Sequence, residues 1–147
     1  MHEWIAFINY KFEVILMNDY ERQHLERILC DYPKIDKYMT VRMAELSYPY
    51  QGHSHVLSKL AVGTMLFDDC IGTDRCLAQL EVNKKCIQFC LKHSDKETQT
   101  IIDRLYFSHE RNLTLEGVGM VLNMSKSTVS RKRAAFLEFL GQELGYF

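Results

Sequence analysis

The chain has 147 residues, a formal net charge of −1 and 47% hydrophobic residues, which can support one domain or a small domain with an extension. Only two prolines and seven glycines occur, which favours a mainly α fold over an all-β fold. No apolar run reaches the roughly 18 residues needed to span a bilayer, so a membrane protein is not expected.

Residues 1–16 are apolar and aromatic, but they lack the basic start and the small-residue cleavage site of a signal peptide. We therefore expect a cytoplasmic protein. Two interpretations of this segment stay open. Either it packs on the body as a short strand or helix, or Met17 is the true start, because Glu13-Val14 could be encoded by a purine-rich tract placed like a ribosome-binding site.

Residues 17–94 are predicted to form a helical interaction region, because apolar residues recur at a spacing near 3.6. The predicted helices cover 19–30, 33–46, 56–68 and 74–93, and Gly63 interrupts the third. Residues 48–55 are predicted to be a loop from their proline and glycine. The residues expected to face inward are Leu25, Ile28, Leu29, Ile35, Tyr38, Met39, Met43, Leu46, Leu77, Leu80, Ile87 and Leu91.

A division near Ser94 separates this region from a predicted DNA-binding domain over residues 95–147. Ser94 is expected to cap a helix over 96–107, with Glu97 completing a capping box. This helix would support the helix pair that follows through its apolar residues Ile101, Ile102, Leu105 and Tyr106.

The most specific pattern lies between Leu113 and Arg133, where two short helices are predicted around a tight turn. Gly119 is expected where the helices approach most closely, since a larger side chain would push them apart. The apolar positions that can close the angle between the helices are Val118, Leu122, Met124 and Val129.

Two polar residues define the turn. Asn123 follows the last apolar residue of the first helix, where a left-handed residue commonly ends a helix. Ser125 is predicted to cap the second helix, which would run from Lys126 to about Leu144. Its inner face would carry Val129, Phe136, Leu140 and Leu144.

The outer face of the second helix is small, hydroxylated and basic. No acid lies between Glu116 and Glu138, although a merely soluble helix usually mixes both signs of charge. A face of one sign suits phosphates. The four cations of this stretch are Lys126, Arg131, Lys132 and Arg133.

Residues 114–137 resemble region 4 of bacterial sigma factors in the threonine-leucine-glutamate opening, the glycine, the serine cap and the basic helix. Over residues 19–147 the chain also resembles phage regulators of late transcription, the RinA and ArpU-like group. That resemblance implies DNA binding at a promoter together with host RNA polymerase. Two positions depart from the pattern: residues 51–55 replace an expected glycine-rich loop, and Lys132 stands where sigma factors usually have an apolar residue. The matching segments are Ile35–Tyr38, Arg42–Leu46, Tyr48–Tyr50, Ile101–Phe107, Lys132–Leu137 and Leu144–Gly145.

We predict a DNA-binding regulator of transcription in which the second helix reads double-stranded DNA. Arg131 is the candidate for a guanine, because its planar fork matches the O6 and N7 pair. A homodimer is expected, because two copies would double the number of phosphate contacts and so raise the affinity for DNA. The base edges would meet Ser127, Thr128, Ser130 and Arg131; phosphates would meet Lys126, Lys132 and Arg133; Thr114 and Ser125, at the helix starts, complete the predicted DNA-binding residues.

Metal, cofactor and catalytic sites are not expected. Cys86 and Cys90 share a helix face with His93, but no second pair of ligands accompanies them, so core packing is the favoured role. Asp68 and Asp69 are adjacent and would diverge on a helix, and no phosphate-binding glycine loop follows a strand.

Two alternative functions stay open. Small terminase subunits also join a helix-turn-helix to a helical assembly domain, and they form rings that recognise packaging sites. An adaptor could instead use the same helices to bind RNA polymerase without contacting DNA.

Overall fold

The computed structural model describes residues 17–47, 72–108 and 113–146, and the fold is mainly α, as the composition predicts. The predicted loop at 48–55, the predicted helix at 56–68 and residues 1–16 lie outside the described residues. In the described ranges no helix is long and apolar enough to cross a bilayer. The elements are α1 (Asp19–Asp31), a 3-10 helix (Tyr32–Lys34), α2 (Ile35–Ser47), α3 (Arg75–Lys92), α4 (Lys96–Ile102), a π-helical segment (Asp103–Phe107), α5 (Leu115–Leu122) and α6 (Lys126–Glu143).

One buried cluster joins α1, α3, α4 and α6. It lies across the division near Ser94, so the two predicted regions share a core rather than a linker. Cys90 is fully buried in this cluster, which confirms the packing role predicted for it. The buried members are Leu25, Ile28, Leu29, Ile87, Cys90, Ile102, Phe136, Leu137 and Leu140.

The start of α4 differs from the prediction. The N-cap is Asp95 and not Ser94, because the backbone of Asp95 is extended and its side chain accepts a hydrogen bond from the Thr98 N–H at 2.9 Å. Ser94 follows His93, the C-cap of α3, and its hydroxyl donates to the Cys90 carbonyl at 2.7 Å. The predicted capping box of Ser94 and Glu97 is therefore wrong.

The predicted helix over 96–107 changes from α to π geometry at Asp103. A π turn is wider than an α turn, and three successive side chains here reach three partners. Leu105 packs with the core of α5 and α6, and the Tyr106 hydroxyl donates to Glu26 Oε1 at 2.9 Å. Phe107 lies against the Tyr32 ring, with centroids 5.0 Å apart.

Helix α2 is attached by apolar side chains and by two ion pairs to residues at the start and in the middle of α3. Of its predicted inward residues, Ile35 is buried, Met39, Met43 and Leu46 are half-buried, and the prediction is wrong for Tyr38, which is 37% exposed. The residues around Pro33 form a 3-10 helix, so α2 begins at Ile35, two residues later than predicted. The polar contacts are Arg42 with Asp74 at 2.8 Å and Lys84 with Asp36 at 2.6 Å.

Candidate nucleic-acid interface

Helices α5 and α6 form a helix-turn-helix whose turn consists of residues 123–125. Asn123 ends α5 with φ 58° and ψ 41°, the left-handed conformation predicted for it. Ser125 begins α6 and its hydroxyl accepts a hydrogen bond from the Thr128 N–H at 3.2 Å, which confirms the predicted cap. The end of α5 and the start of α6 are therefore determined by residues of the turn itself.

Gly119 is buried at the closest approach of α5 to the turn. A Cβ placed on it would lie 2.6 Å from the Met124 carbonyl oxygen, a distance that real Cβ atoms do not adopt. The carbonyl of Gly119 also accepts the Met124 N–H at 2.8 Å. The predicted need for glycine is confirmed, and the group it accommodates is the backbone of the turn.

A small apolar cluster holds the helix pair on its support. It combines the end of the α4 segment with one buried side chain each from α5 and α6. This arrangement agrees with the predicted apolar positions, of which Leu122 and Met124 are partly buried against the cluster. The buried members are Ile101, Leu105, Val118 and Val129.

The predicted site residues at the N-terminal ends of the helices are caps. The Thr114 hydroxyl accepts the Gly117 N–H at 3.1 Å at the start of α5. The Ser125 hydroxyl lies 3.1 Å from the Ser127 hydroxyl and 2.8 Å from the Thr128 hydroxyl. These three hydroxyl groups meet at the start of α6, where Ser127 is exposed and Thr128 is half-buried.

Among the four cations of α6, Arg131 differs from the others. It is exposed, and it makes no hydrogen bond or ion pair within the described ranges. Ser130 beside it is half-buried, whereas Ala134 and Ala135 are exposed and small. Arg131 is therefore the cation of α6 whose guanidinium is available to a ligand.

The other three cations are paired with acids of three different helices. Lys126 binds Glu116 of α5 at 2.9 Å, and both side chains are more than half exposed. Lys132 binds Asp95 and Glu97 at 2.8 and 2.7 Å; Arg133 lies 3.4 Å from Glu26 of α1. That Lys132 and Arg133 contact DNA phosphates stays a prediction. Asp95, Glu97 and Glu26 would compete with the phosphates for these two cations.

Glu26 is a residue of the site that sequence reasoning missed. It accepts the hydroxyl of Tyr106 and pairs with Arg133, which is separated from it by 107 positions in the chain. Burial, followed by the negative charge of Glu26, raises the pKa of Tyr106 well above its usual range. The Arg133 Nε is buried and has no hydrogen-bond partner in the part of the chain that the structure describes.

The pKa of Asp95 is lowered to about 2, first by the hydrogen bond from Lys132 and then by those from Thr98. Because this value lies below the ordinary 3.8, the stabilisation is present above pH 3.8 and is lost as the pH falls towards 2. We expect Asp95→Asn, which keeps an oxygen for the cap, to be less stable than the wild type at neutral pH by less than about 1 kcal/mol, since the carboxylate is exposed.

Urea unfolding at a series of pH values checks this expectation. The stability difference between wild type and Asp95→Asn should narrow steadily below pH 3.8. Asp103→Asn is the matched control, because Asp103, eight residues further along, is an exposed acid without an ion pair among the described residues. A difference that stays constant or widens on acidification would contradict the role given to the Asp95 charge.

The thiols and imidazoles of α3 do not converge on one point. Burial raises the pKa of the Cys90 thiol to about 12, and His93 Nδ1 lies 2.8 Å from the Phe89 carbonyl oxygen. In the described ranges no group of three or more His, Cys, Asp or Glu side chains could hold a metal ion.

No family model, curated protein or solved structure matches this chain.

Proposed function

We propose that the protein is a sequence-specific DNA-binding regulator of transcription, acting with RNA polymerase in the cytosol of a bacterial host. Activation of late genes of a phage or prophage is the specific role we propose. The observation that carries this proposal is that Arg131 is exposed and has no partner among the described residues, on a helix whose start is set by the Ser125 cap and by Gly119.

The exposed N-terminal turns of α6 suit the major groove of B-DNA, which admits one α-helix. Arg131 would bind a guanine through its two parallel donors, and Ser127, Thr128 and Ser130 would contact neighbouring base edges. Lys126 would contact a phosphate, because its pair with Glu116 is largely exposed and therefore weak. The exposed Ala134 and Ala135 leave room for the groove wall beyond Arg131.

A contact with RNA polymerase is proposed for the outer surface of α5. Met120 is 83% exposed and Val121 is 56% exposed, so two adjacent apolar side chains face away from the cores. Exposed apolar side chains that lie together favour a protein-binding surface. This surface belongs to the helix that directly precedes α6, where a protein bound at the promoter would be close to the DNA.

The test is a gel shift on DNA fragments from the neighbourhood of the gene, across a salt series, with wild type and Arg131→Ala. We expect a discrete, salt-sensitive shift on one fragment. Arg131→Ala should lower the preference for that fragment by about 1–3 kcal/mol, which corresponds to roughly fivefold to 150-fold. The reason is that a lost bidentate contact to guanine removes discrimination at one base pair.

Arg104→Ala is the matched control for loss of a positive charge. Arg104 is also exposed, but it lies away from α6, in a groove lined by Tyr32, Leu91 and Lys92. We expect it to keep the sequence preference. Equal losses in both variants would contradict the base contact of Arg131, and the absence of any shift at low salt would favour the adaptor. A stable oligomer with enough copies to close a ring would favour the alternative function as a small terminase subunit.

A further inference from the structure

Lys132 follows Arg131 on α6, yet its ammonium group is directed towards the protein. The Nζ atom lies 2.8 Å from Asp95 Oδ2 and 2.7 Å from Glu97 Oε2, and the side chain is only 20% exposed. Arg131, one residue earlier, is exposed. Two neighbouring cations of the same helix therefore have different environments.

Asp95 connects this ammonium group to the backbone of α4. One carboxylate oxygen accepts the Thr98 N–H at 2.9 Å, and the other binds the Lys132 Nζ. Because Asp95 is the N-cap of α4, its side chain is oriented by the helix that it begins. Helix α6 is thus joined to the first turn of α4 by a contact with a defined direction.

Apolar packing alone gives α6 less directional control. Val129 is buried among Ile101, Leu105 and Val118, but hydrophobic burial is not directional. On a helix about 5 Å in radius, a rotation of roughly 20° moves a side chain by about 2 Å. Hydrogen bonds to a base tolerate only a few tenths of an ångström, so a directional polar contact next to Arg131 adds precision to the orientation that the packing of α6 provides.

The same ion pairs disfavour a phosphate contact by Lys132. Asp95 and Glu97 together carry one negative charge more than the single ammonium group neutralises. If Lys132 left them for a phosphate, two partly exposed carboxylates would remain beside a polyanion. The ion pairs with Asp95 and Glu97 are therefore more favourable for Lys132 than a phosphate contact.

We propose that Lys132 is a positioning residue for DNA reading. Its ion pairs with Asp95 and Glu97 set the rotation of α6 and so the direction of Arg131, and Lys132 does not contact a phosphate. This inference rests on the proposed function and specifies one part of it.

The test compares two short DNA duplexes: one selected by the wild-type protein from a random pool, and one of the same composition with a scrambled sequence. Dissociation constants are measured for both across a salt series. The variants are Lys132→Met, which keeps the length of the side chain, Lys132→Arg, which keeps the charge, and the double variant Asp95→Asn with Glu97→Gln. Circular dichroism is used to check that each variant is folded.

We expect Lys132→Met to lose about tenfold in preference for the selected duplex, as expected for a misplaced base contact. Its salt dependence should match that of the wild type, because no phosphate contact is lost. Lys132→Arg should restore most of the preference. The double variant should also lose preference, although it removes two negative charges from a DNA-binding protein.

The opposite pattern would overturn the inference alone: a salt slope smaller by about 1 in Lys132→Met, with an unchanged preference. So would a double variant that binds both duplexes more tightly and keeps its preference, because a phosphate contact carries no sequence information. A wild-type protein without any preference would overturn the proposed function itself. If Lys132→Met does not fold, Glu97→Gln keeps the Asp95 pair and cap, and a smaller loss of preference is then expected.

Discussion

Phe136→Ala is expected to destabilise the protein by about 3–5 kcal/mol, the cost of deleting a buried phenyl ring and leaving a cavity. Phe136 is 2% exposed and lies in the cluster that joins α1, α3, α4 and α6. Because one cluster serves both predicted regions, we expect a single unfolding transition with a lower midpoint. Urea unfolding followed by the helical circular dichroism signal at equilibrium measures both quantities.

Phe139→Ala is the matched control. The same ring lies three residues further along α6, but it is only half-buried, next to Phe89 at a centroid distance of 6.1 Å. We expect it to lose about half as much stability, because its ring already contacts solvent and the site can collapse. Equal losses in the two variants, or two separate transitions in the wild type, would contradict the shared core.

Gly119→Ala is expected to cost about 3 kcal/mol, the upper part of the usual range for overpacking. The new Cβ would meet the Met124 carbonyl oxygen at 2.6 Å, and this oxygen belongs to the backbone of the turn and cannot rotate away. The turn must therefore shift, and α6 must shift with it. We expect both a lower unfolding midpoint and weaker preference for the selected DNA.

Gly117→Ala, two residues earlier on α5, separates the clash from the loss of a glycine. A Cβ there would meet its nearest neighbour, the Thr114 hydroxyl oxygen, at an ordinary 3.5 Å. Alanine has the higher helix propensity, so this variant should be neutral or more stable by up to about 1 kcal/mol. Destabilisation of both variants to the same extent would show that the contact with Met124 is not the cause.

The features that the sequence predicted correctly are those encoded within a few residues. Asn123 and Ser125 act on their own backbone or on atoms three positions away, so their residue types are sufficient evidence. Likewise, the apolar spacing that identifies Leu25, Ile28 and Leu29 depends only on the helical repeat. These signals located the helix pair, its turn and the exposed face of Arg131.

The features that the sequence did not predict depend on partners distant in the chain. Nothing near Glu26 or Arg133 indicates that they meet, since pairing needs α1 and α6 to be docked first. Nothing in the sequence around α6 indicates that the fold places acids beside three of its cations, Lys126, Lys132 and Arg133. At the start of α4, two adjacent cap-forming residues, Ser94 and Asp95, competed, and the length of α3 decided between them.

The shared core also constrains how the proposed regulator would be oriented on promoter DNA. Leu25, Ile87 and Leu140 lie in one cluster, so α1 and α3 would keep a fixed orientation on the DNA if α6 binds it as proposed. The polymerase surface proposed on α5 is joined to α6 through Val118 and Val129, so it would also have a set angle on the double helix. Inserting half a helical repeat, about 5 base pairs, between the binding site and the promoter should abolish activation, whereas about 10 base pairs should restore much of it.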